Sequence, residues 1–180
     1  MAIDKEKIKE HKPRGKKLFV FVGRLDDEAK KVGRAIVLTK EINDMMLWIV
    51  GDGPDRKMYE DLVKKNKLEN KVTFLGKKKN PYPYMKKADY ILMTSDYEGF
   101  PVIYLETITL QTPLITTIDV SDDKIKIGKD YAKIISKNQK KMLKQVKEIL
   151  SSPKQVKKID IENIQKERMK TFEKLFDGVI

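Results

Sequence analysis

Short apolar runs alternate along the chain with longer segments in which apolar residues recur at helical spacing. The runs at Lys16–Gly23, Met45–Pro54 and Val72–Gly76 are too short for typical helices and close with glycine. They are apolar throughout rather than at every second residue, which is the pattern of strands buried on both faces. The pattern therefore predicts a parallel sheet with helices packed on its two sides.

The same alternation of strand and helix continues beyond these runs. Three further strands are predicted at Asp89–Ser95, Pro113–Thr117 and Tyr131–Ile135. Helices are predicted at Val32–Glu41, Asp55–Lys65, Tyr84–Lys87 and Pro101–Leu110, around Met142 to Ile149 before the breaker Pro153, and at Met169–Phe176. This order predicts a Rossmann-like α/β fold in one domain, residues 16–180, after a lead-in at residues 1–15.

Glycine and charged residues gather where the predicted strands end. These ends hold Gly23-Arg24, Gly51-Asp52-Gly53, Gly76-Lys77 and the segment from Ser95 to Gly99. In an open parallel sheet, ligands bind beyond the carboxyl ends of the strands. We therefore expect the binding chemistry at this edge of the sheet.

The composition argues against several classes of protein. The 180 residues are 40% hydrophobic and 37% charged, and no apolar stretch approaches the roughly 20 residues that span a bilayer. There is no cysteine, and the single histidine is His11, which argues against disulfides, thiolate metal sites and His-paired nucleophiles. The charged start of the chain lacks the apolar core of a signal peptide, so we expect a cytoplasmic protein.

An anionic partner is one explanation of the formal net charge of +12. Nucleic acid, an anionic membrane surface and phosphorylated small molecules are the candidates, and lysines that are simply solvated on helix faces are the other explanation. The stretch KKKNPYPY interleaves lysines with Tyr82 and Tyr84, as in proteins that stack nucleic-acid bases. The lysines are nevertheless dispersed, and carboxylates at the sheet edge would repel phosphates, so we do not expect nucleic acid as the partner.

The stretch GRLDDEAKK, which begins at Gly23, places two cations after the first strand. Gly23 permits a tight turn, and we expect Arg24 and Lys30 on either side of a helix start. An arginine offers a fork of donors to phosphate oxygens and a lysine offers a point charge, so the two suit a diphosphate. Alternatively, Arg24 pairs with Asp26 or Asp27, and Lys30 lies on the surface.

A second helix start is predicted within SDYEGFPVIYLET, residues 95–107. Gly99 removes a side chain beside this helix start, and Pro101 suits the first turn because it has no N–H to satisfy. The free N–H groups of Val102 and Ile103 then form the positive end of the helix dipole, which attracts an anion. This helix start is therefore an expected phosphate site.

Two glutamates flank the expected phosphate site. Glu106 lies about four to five residues into the helix, where a carboxylate can accept hydrogen bonds from the vicinal diol of a ribose. Glu98 lies just before the turn and is placed for the hydroxyls of a group that the diphosphate carries. Alternatively, they are a surface glutamate and a helix glutamate that share no ligand.

Five motifs in order resemble the C-terminal, nucleotide-sugar-binding half of a GT-B glycosyltransferase of the retaining family-4 type, glycosyl transferases group 1. They are GRLDDEAK, IVGDGP, VTFLG, PLITTIDV and SDYEGFPVIYLE, the last of which matches the E-x7-E motif through Glu98 and Glu106. The resemblance covers about Leu18 to Thr117 and, more weakly, the rest. It implies transfer of a sugar from a nucleotide sugar, such as a UDP-sugar or GDP-sugar, to a glycan, polysaccharide or glycolipid acceptor.

The resemblance also implies roles for individual residues. Arg24 and Lys30, with Lys31 as the alternative register for the latter, would hold the donor diphosphate and stabilise the departing nucleotide. Glu98 would contact the donor sugar, and Glu106 would bind the ribose hydroxyls. The remaining contacts would come from Gly23, Gly99, Phe100, Pro101, Val102 and Ile103, and from Lys77 and Lys78 beside the base. No metal and no other cofactor is expected, because fixed cations can stabilise the charge on the leaving group.

The sequence departs from the family pattern in two loops. Gln111 stands at or near a position where the family usually has glycine. The loop Ser121 to Lys124, SDDK, replaces a glycine-rich loop that often touches the transferred sugar. The resemblance therefore does not define which sugar is transferred.

The acceptor-binding N-terminal half of a GT-B enzyme has no counterpart in this sequence. We therefore expect that half in cis or in trans, little transfer by this chain alone, and a final helix at Met169–Phe176 that packs toward the missing half or covers this sheet. Peripheral contact of the basic surface with an anionic membrane is a further expectation. A non-catalytic nucleotide-binding module of the same fold is the alternative function.

Overall fold

The computed structural model describes residue 12 and residues 14–98, 102–119 and 132–151. The strands are β1 (Lys17–Val22), β2 (Met45–Val50), β3 (Val72–Gly76), β4 (Tyr90–Met93), β5 (Leu114–Thr116) and β6 (Ala132–Ile134). The helices are α1 (Val32–Glu41), α2 (Arg56–Lys65), α3 (Tyr82–Lys87), α4 (Val102–Leu110) and α5 (Gln139–Ser151). Strands and helices alternate from β1 to β5, β6 follows β5 as the next described element, and each element overlaps a predicted one. The predicted helix at Met169–Phe176 and the loop Ser121 to Lys124 lie outside the described residues.

The strands form one parallel sheet in the order β3-β2-β1-β4-β5-β6. β1 pairs with all six residues of β2 on one side, and on the other side it pairs with β4, where Phe19 lies beside Tyr90. The strands that follow β1 therefore first extend the sheet on one side of it, with β2 and β3, and later on its other side, with β4, β5 and β6. This reversal opens a crevice at the carboxyl ends of β1 and β4. The prediction of a Rossmann-like parallel sheet is confirmed.

Successive residues of β1 point to opposite faces of the sheet and enter two separate cores. Phe19 and Phe21 pack with residues of α1, α2 and α5 in the first core. Leu18 and Val20 pack with residues of α3 and α4 in the second core. All four side chains are at most 2% exposed. Helices thus cover both faces, which explains why the strands are apolar at every position.

The predicted element bounds differ from the observed bounds around β4 and α3. β4 is shorter than the predicted Asp89–Ser95, because polar residues flank its apolar centre. α3 begins at Tyr82 rather than at Tyr84. Pro81 already has helical backbone angles, and the side-chain oxygen of Asn80 accepts the Tyr82 N–H at 3.1 Å. A local side-chain bond therefore starts this helix earlier than the apolar pattern indicates.

The end of α4 gives a backbone reason for the unusual residue Gln111. Gln111 follows the last helical residue with φ 53°, in the left-handed region. The N–H of Thr112 donates to the carbonyl oxygen of Thr107 at 3.0 Å, as in a Schellman helix end. Glycine adopts this conformation without steric cost. Gln111 therefore makes, with a side chain present, a turn for which glycine is the favoured residue.

Candidate functional site

Two glycines after β2 allow the turns that follow β1 and β2 to touch. Gly51 has φ 149°, and a Cβ at this position would lie 1.8 Å from the carbonyl oxygen of Gly23. A Cβ on Gly53 would lie 2.3 Å from the carbonyl oxygen of Leu25. The Gly23 N–H donates to the carbonyl oxygen of Val50 at 3.0 Å and holds the two turns together. A side chain at either glycine would force the turns apart.

These turns form part of the wall of a cleft of about 540 Å³, here called the larger cleft. Its charged wall residues are Arg24, Asp52, Lys77 and Lys78. Lys78 Nζ lies 5.4 Å from the centre of the Tyr84 ring, a cation–π contact that orients its side chain. Three cations against one carboxylate give the wall of the larger cleft a net positive charge.

Arg24 is exposed and makes no ion pair within the ranges that the structure describes. The alternative in which it pairs with Asp26 or Asp27 is not observed. Asp27 instead accepts a hydrogen bond from the Tyr59 hydroxyl at 2.9 Å and pairs with Lys31 at 3.6 Å. Asp26 accepts backbone N–H groups of its own turn. Arg24 therefore lies in the wall of the larger cleft without an ion-pair partner among the described residues.

A second cavity, of about 230 Å³, lies at the crevice between β1 and β4 and is called the smaller cavity. Val22 lines both it and the larger cleft, so the two adjoin. Lys30 and Glu98 are its charged wall residues, and Val102 and Ile103 at the start of α4 line it as well. The structure therefore brings four of the predicted site residues to the carboxyl edge of the sheet, as expected for this fold.

Lys30 and Glu98 form an ion pair in the wall of the smaller cavity. Lys30 Nζ lies 2.7 Å from both carboxylate oxygens of Glu98, and the Ser95 hydroxyl donates to Glu98 Oε1 at 2.6 Å. The lysine side chain is 26% exposed and the glutamate side chain 12%. The alternative in which Lys30 lies on the surface is therefore not observed.

The expectation that Arg24 and Lys30 lie on either side of a helix start is wrong. α1 begins only at Val32, so both cations belong to the segment that precedes it. Lys30 lines the smaller cavity, whereas Lys31 turns toward Asp27. The structure thus places Lys30, and not the alternative Lys31, beside Glu98.

The segment that carries Lys30 is held against the end of β4. The Thr94 hydroxyl, fully buried, lies 3.2 Å from the carbonyl oxygen of Lys30 and 3.1 Å from that of Lys31. The Asp96 N–H donates to the carbonyl oxygen of Ala29 at 2.8 Å. Lys31 has φ 49°, a left-handed conformation that is uncommon for a residue with a side chain. These contacts stabilise that conformation and fix where Lys30 points.

A second set of contacts fixes the segment that carries Glu98. Arg34 Nη1 donates to the carbonyl oxygen of Thr94 at 3.0 Å and to Asp96 Oδ1 at 2.7 Å, and Lys137 donates to the Asp96 carbonyl oxygen. The hydrogen bond from Arg34 holds the pKa of Asp96 below its ordinary value, and nearby cations add to the effect. The sequence did not predict these contacts of Arg34 and Lys137. The signal that could have indicated them is Asp96, a carboxylate directly after the polar end of a strand.

Glu106 is the fifth residue of α4, as predicted, but it is not among the wall residues of either cavity. Its Oε1 accepts a hydrogen bond from the Tyr82 hydroxyl at 3.1 Å. Burial and the nearby Glu106 raise the pKa of Tyr82. Tyr82 directly follows Pro81, a wall residue of the larger cleft. Glu106 is therefore linked to the residue that follows the cleft wall through the side chain of Tyr82, which the sequence indicated only as a candidate for base stacking.

The predicted site residues thus fall into three groups. The larger cleft holds Gly23, Arg24 and Lys77; the smaller cavity holds Lys30, Glu98, Val102 and Ile103; Glu106 lines neither and accepts a hydrogen bond from Tyr82. Gly99, Phe100 and Pro101 lie outside the described residues. In the described ranges, no three His, Asp or Glu side chains gather as metal ligands, and metal-free chemistry stays a prediction. None of the described helices is long and apolar enough to cross a membrane.

Comparison with known proteins places this edge of the sheet in a wider context. The chain is 29% identical over 165 residues to an N-acetylgalactosamine-N,N'-diacetylbacillosaminyl-diphospho-undecaprenol 4-alpha-N-acetylgalactosaminyltransferase of Campylobacter jejuni, covering 91% of this chain and 44% of that protein. It spans less than half the length of the curated relatives that it matches.

Solved structures share the fold at low sequence identity. Anabaena HepE in complex with UDP matches with a TM-score of 0.69 and 14% identity, over 89% of this chain and 49% of that one. The C-terminal domain of a group 1 glycosyl transferase, LpcC, from Francisella tularensis matches with a TM-score of 0.62 and 22% identity, over 81% and 80%. The family model described as glycosyl transferases group 1 matches residues 2–166, and the chain belongs to that family.

Proposed function

We propose that this chain is the donor-binding part of a glycosyltransferase that takes a sugar from a nucleoside-diphosphate sugar. The observation that carries the proposal is the position of the Lys30–Glu98 pair. It lies in a cavity at the crevice between β1 and β4, directly beside a cleft whose wall is cationic. A sugar with hydroxyls and a leaving group with negative charge need these two environments next to each other.

The diphosphate would lie where the larger cleft meets the smaller cavity. Arg24 offers a planar fork of donors from the exposed side, which suits two phosphate oxygens. Lys30 has three N–H donors, and its contacts with the two oxygens of Glu98 leave one free for a phosphate oxygen. The start of α4, with Val102 and Ile103 in the cavity wall, adds the positive end of a helix dipole.

The two glutamates would accept hydrogen bonds from the hydroxyl groups on either side of the diphosphate. Glu98 keeps one lone-pair site, on Oε2, for a hydroxyl of the transferred sugar, because Lys30 and Ser95 occupy both sites on Oε1 and Lys30 also contacts Oε2. Glu106 would accept hydrogen bonds from the ribose hydroxyls. Lys77 and its neighbour Lys78, in the far wall of the larger cleft, would lie along the base.

The chemistry that these residues support is departure of the nucleoside diphosphate. As the bond between the anomeric carbon and the phosphate oxygen breaks, the bonding electrons remain on that oxygen. Arg24, Lys30 and the α4 dipole stabilise this charge without rearranging, which lowers the barrier. An acceptor hydroxyl oxygen bonds to the anomeric carbon, and its proton passes to the departing diphosphate. We propose that no metal is needed, and that configuration is retained as in the enzymes whose motifs the chain resembles.

For the whole enzyme, the proposal extends to the acceptor, the donor and an N-terminal domain. The relative from Campylobacter jejuni is named for transfer to an undecaprenol-linked saccharide, and a fold neighbour was solved with UDP. These names support a lipid-linked or glycan acceptor and a nucleotide-sugar donor here. An N-terminal acceptor domain, in cis or in trans, would complete the enzyme at the cytoplasmic side of an anionic membrane, and this part alone would transfer little.

Calorimetric titration with UDP, GDP and their sugars tests the proposal. The wild-type chain should bind at least one of them with a stoichiometry of one. Glu106→Ala should weaken that binding by about tenfold or more, since a charged hydrogen-bond acceptor for the ribose is lost. Glu69→Ala, which removes an exposed glutamate beyond the opposite end of β3, is the matched control and should bind like the wild type. Unchanged affinity in Glu106→Ala would contradict the proposed role of that carboxylate.

A further inference from the structure

Tyr82 contacts a proposed binding residue without having a proposed role of its own. Its hydroxyl donates to Glu106 Oε1 at 3.1 Å. Its backbone is also fixed, since it is the first residue of α3 and its N–H donates to the side chain of Asn80 at 3.1 Å. A phenol that is half-buried and anchored at its backbone has little freedom, so it holds its partner in one orientation.

We propose that Tyr82 is a positioning residue that orients the Glu106 carboxylate toward a ribose diol, and that it thereby sets the preference of this chain for ribonucleotides over nucleotides that lack the diol. The inference rests on the proposed function and deepens it. The proposed role is selectivity for the ribose of the nucleotide. Neither the resemblance nor the comparisons assign a role to Tyr82.

The hydrogen-bonding capacity of Glu106 is consistent with this role. A carboxylate offers about four lone-pair sites on its two oxygens. Tyr82 occupies one site on Oε1, which leaves one on that oxygen and two on Oε2. Two vicinal hydroxyls can therefore donate to Glu106 while Tyr82 remains bound. Without the phenol, the carboxylate could rotate, and the second hydroxyl would lose its aligned partner.

The protonation of Tyr82 suits a permanent donor. Burial raises the pKa of its hydroxyl above the ordinary value of 10.0, and the negative charge of Glu106 raises it further. The hydroxyl therefore keeps its proton at neutral pH and only donates to the carboxylate. Tyr82 also directly follows Pro81, a wall residue of the larger cleft, where the nucleoside is proposed to bind.

Tyr82→Phe in the full chain is the test, because it removes one hydroxyl and keeps the ring. Affinities for UDP and GDP are compared with those for their 2′,3′-dideoxy counterparts, and the ratio is taken for whichever base binds the wild type more tightly. We expect the preference for the ribonucleotide to fall roughly fivefold in Tyr82→Phe, the usual worth of one hydrogen bond. The same substitution in a Glu106→Ala background should not change the ratio further, because both act on the same contact.

Tyr104→Phe is the matched control on the helix that carries Glu106. Tyr104 is fully buried, and its hydroxyl has no hydrogen-bond partner among the described residues, so this variant loses a hydroxyl but no bond. Its ratio should equal that of the wild type. Circular dichroism on heating confirms that each variant is folded, and Tyr82→Leu, which also lacks the hydroxyl, gives a second measurement should Tyr82→Phe not fold.

The outcomes separate the inference from the proposed function. A wild type that binds no nucleoside diphosphate overturns both. A wild type that binds and prefers the ribonucleotide, with the same preference in Tyr82→Phe, overturns the inference alone. A wild type that binds both forms equally well also overturns the inference. A preference that falls in Tyr82→Phe and not in Tyr104→Phe supports it.

Discussion

The larger cleft and the smaller cavity adjoin but differ in how their charges are compensated. In the smaller cavity, Lys30 and Glu98 neutralise each other at 2.7 Å, and both side chains are largely shielded from solvent. In the larger cleft, Arg24 and Lys77 are accessible, and neither makes an ion pair within the described part of the chain. One region thus carries a pair formed by the fold itself, whereas the other carries cations that the fold leaves unpaired.

Because of this difference in charge compensation, removal of Lys30 and removal of Arg24 should have different effects on the stability of the fold. A shielded pair that loses one member leaves the other charge buried and unpaired, which destabilises the fold. An exposed cation has water as its partner, so its removal changes stability little. Both cations are proposed to hold the same diphosphate. They should therefore resemble each other in their effect on binding and differ in their effect on unfolding.

The largest expected effect on stability follows from Lys30→Met, with Arg24→Met as its counterpart in the other cavity. Among the described residues, Lys30→Met leaves the Glu98 carboxylate, 12% exposed, with the Ser95 hydroxyl alone as a side-chain partner. We expect a loss of about 2 kcal/mol in the free energy of unfolding. Arg24→Met should stay within about 0.5 kcal/mol of the wild type. Urea denaturation at neutral pH measures both values.

The double variant Lys30→Met with Glu98→Leu sharpens this test. It removes both charges from the smaller cavity, so most of the lost stability should return if the unpaired carboxylate is the cause. Equal stability of Lys30→Met and Arg24→Met would show that the two cavities do not differ in the way described. A double variant as unstable as Lys30→Met would point instead to lost packing of the lysine side chain.

A smaller effect is expected from the pH dependence of stability, which depends on Asp96, two residues before Glu98. The hydrogen bond from Arg34, with help from Lys137, lowers the pKa of Asp96 from its ordinary value of 3.8. A lowered folded-state pKa stabilises the fold above the unfolded-state value, and this contribution is lost as the pH falls through the folded-state value. Asp96→Asn should therefore cost less than about 1 kcal/mol at pH 6.

The difference between the wild type and Asp96→Asn should shrink as the pH is lowered below 3.8, measured by urea denaturation along a pH series. Asp44→Asn, which removes an exposed carboxylate paired with Lys16 at 3.0 Å, is the control and should have almost no effect at pH 6. A gap between wild type and Asp96→Asn that stays constant down to pH 2 would contradict a contribution from the ionised Asp96 carboxylate.

The layout of the fold and the edge that carries the site could be predicted from the sequence. Short apolar runs define strands locally, and parallel strands bring their carboxyl ends to one edge whatever their order. Gly23, Lys30 and Glu98 therefore converge there, as expected. The resemblance marked Gln111 only as a departure from a usual glycine, and the φ of 53° at this residue gives the backbone reason for that glycine.

The polar contacts between side chains at this edge of the sheet could not be predicted from the sequence. Lys30 and Glu98 are 68 residues apart, and their direct pairing depends on how the preceding turn is held by the buried Thr94 hydroxyl. The bond from Tyr82 to Glu106 joins two helices whose spacing no local pattern encodes. Apolar periodicity reports which face of an element is buried, and it carries no information about which polar side chains meet across the sheet edge.

A crystal structure of the chain with a bound nucleoside diphosphate, UDP or GDP, tests the central claim most directly. The account predicts diphosphate oxygens at about 3 Å from both Lys30 Nζ and the Arg24 guanidinium, with the nucleoside in the larger cleft. Lys30 should still contact Glu98. A diphosphate bound elsewhere, for example along the exposed lysines of α5, or crystals in which neither nucleotide binds, would contradict it.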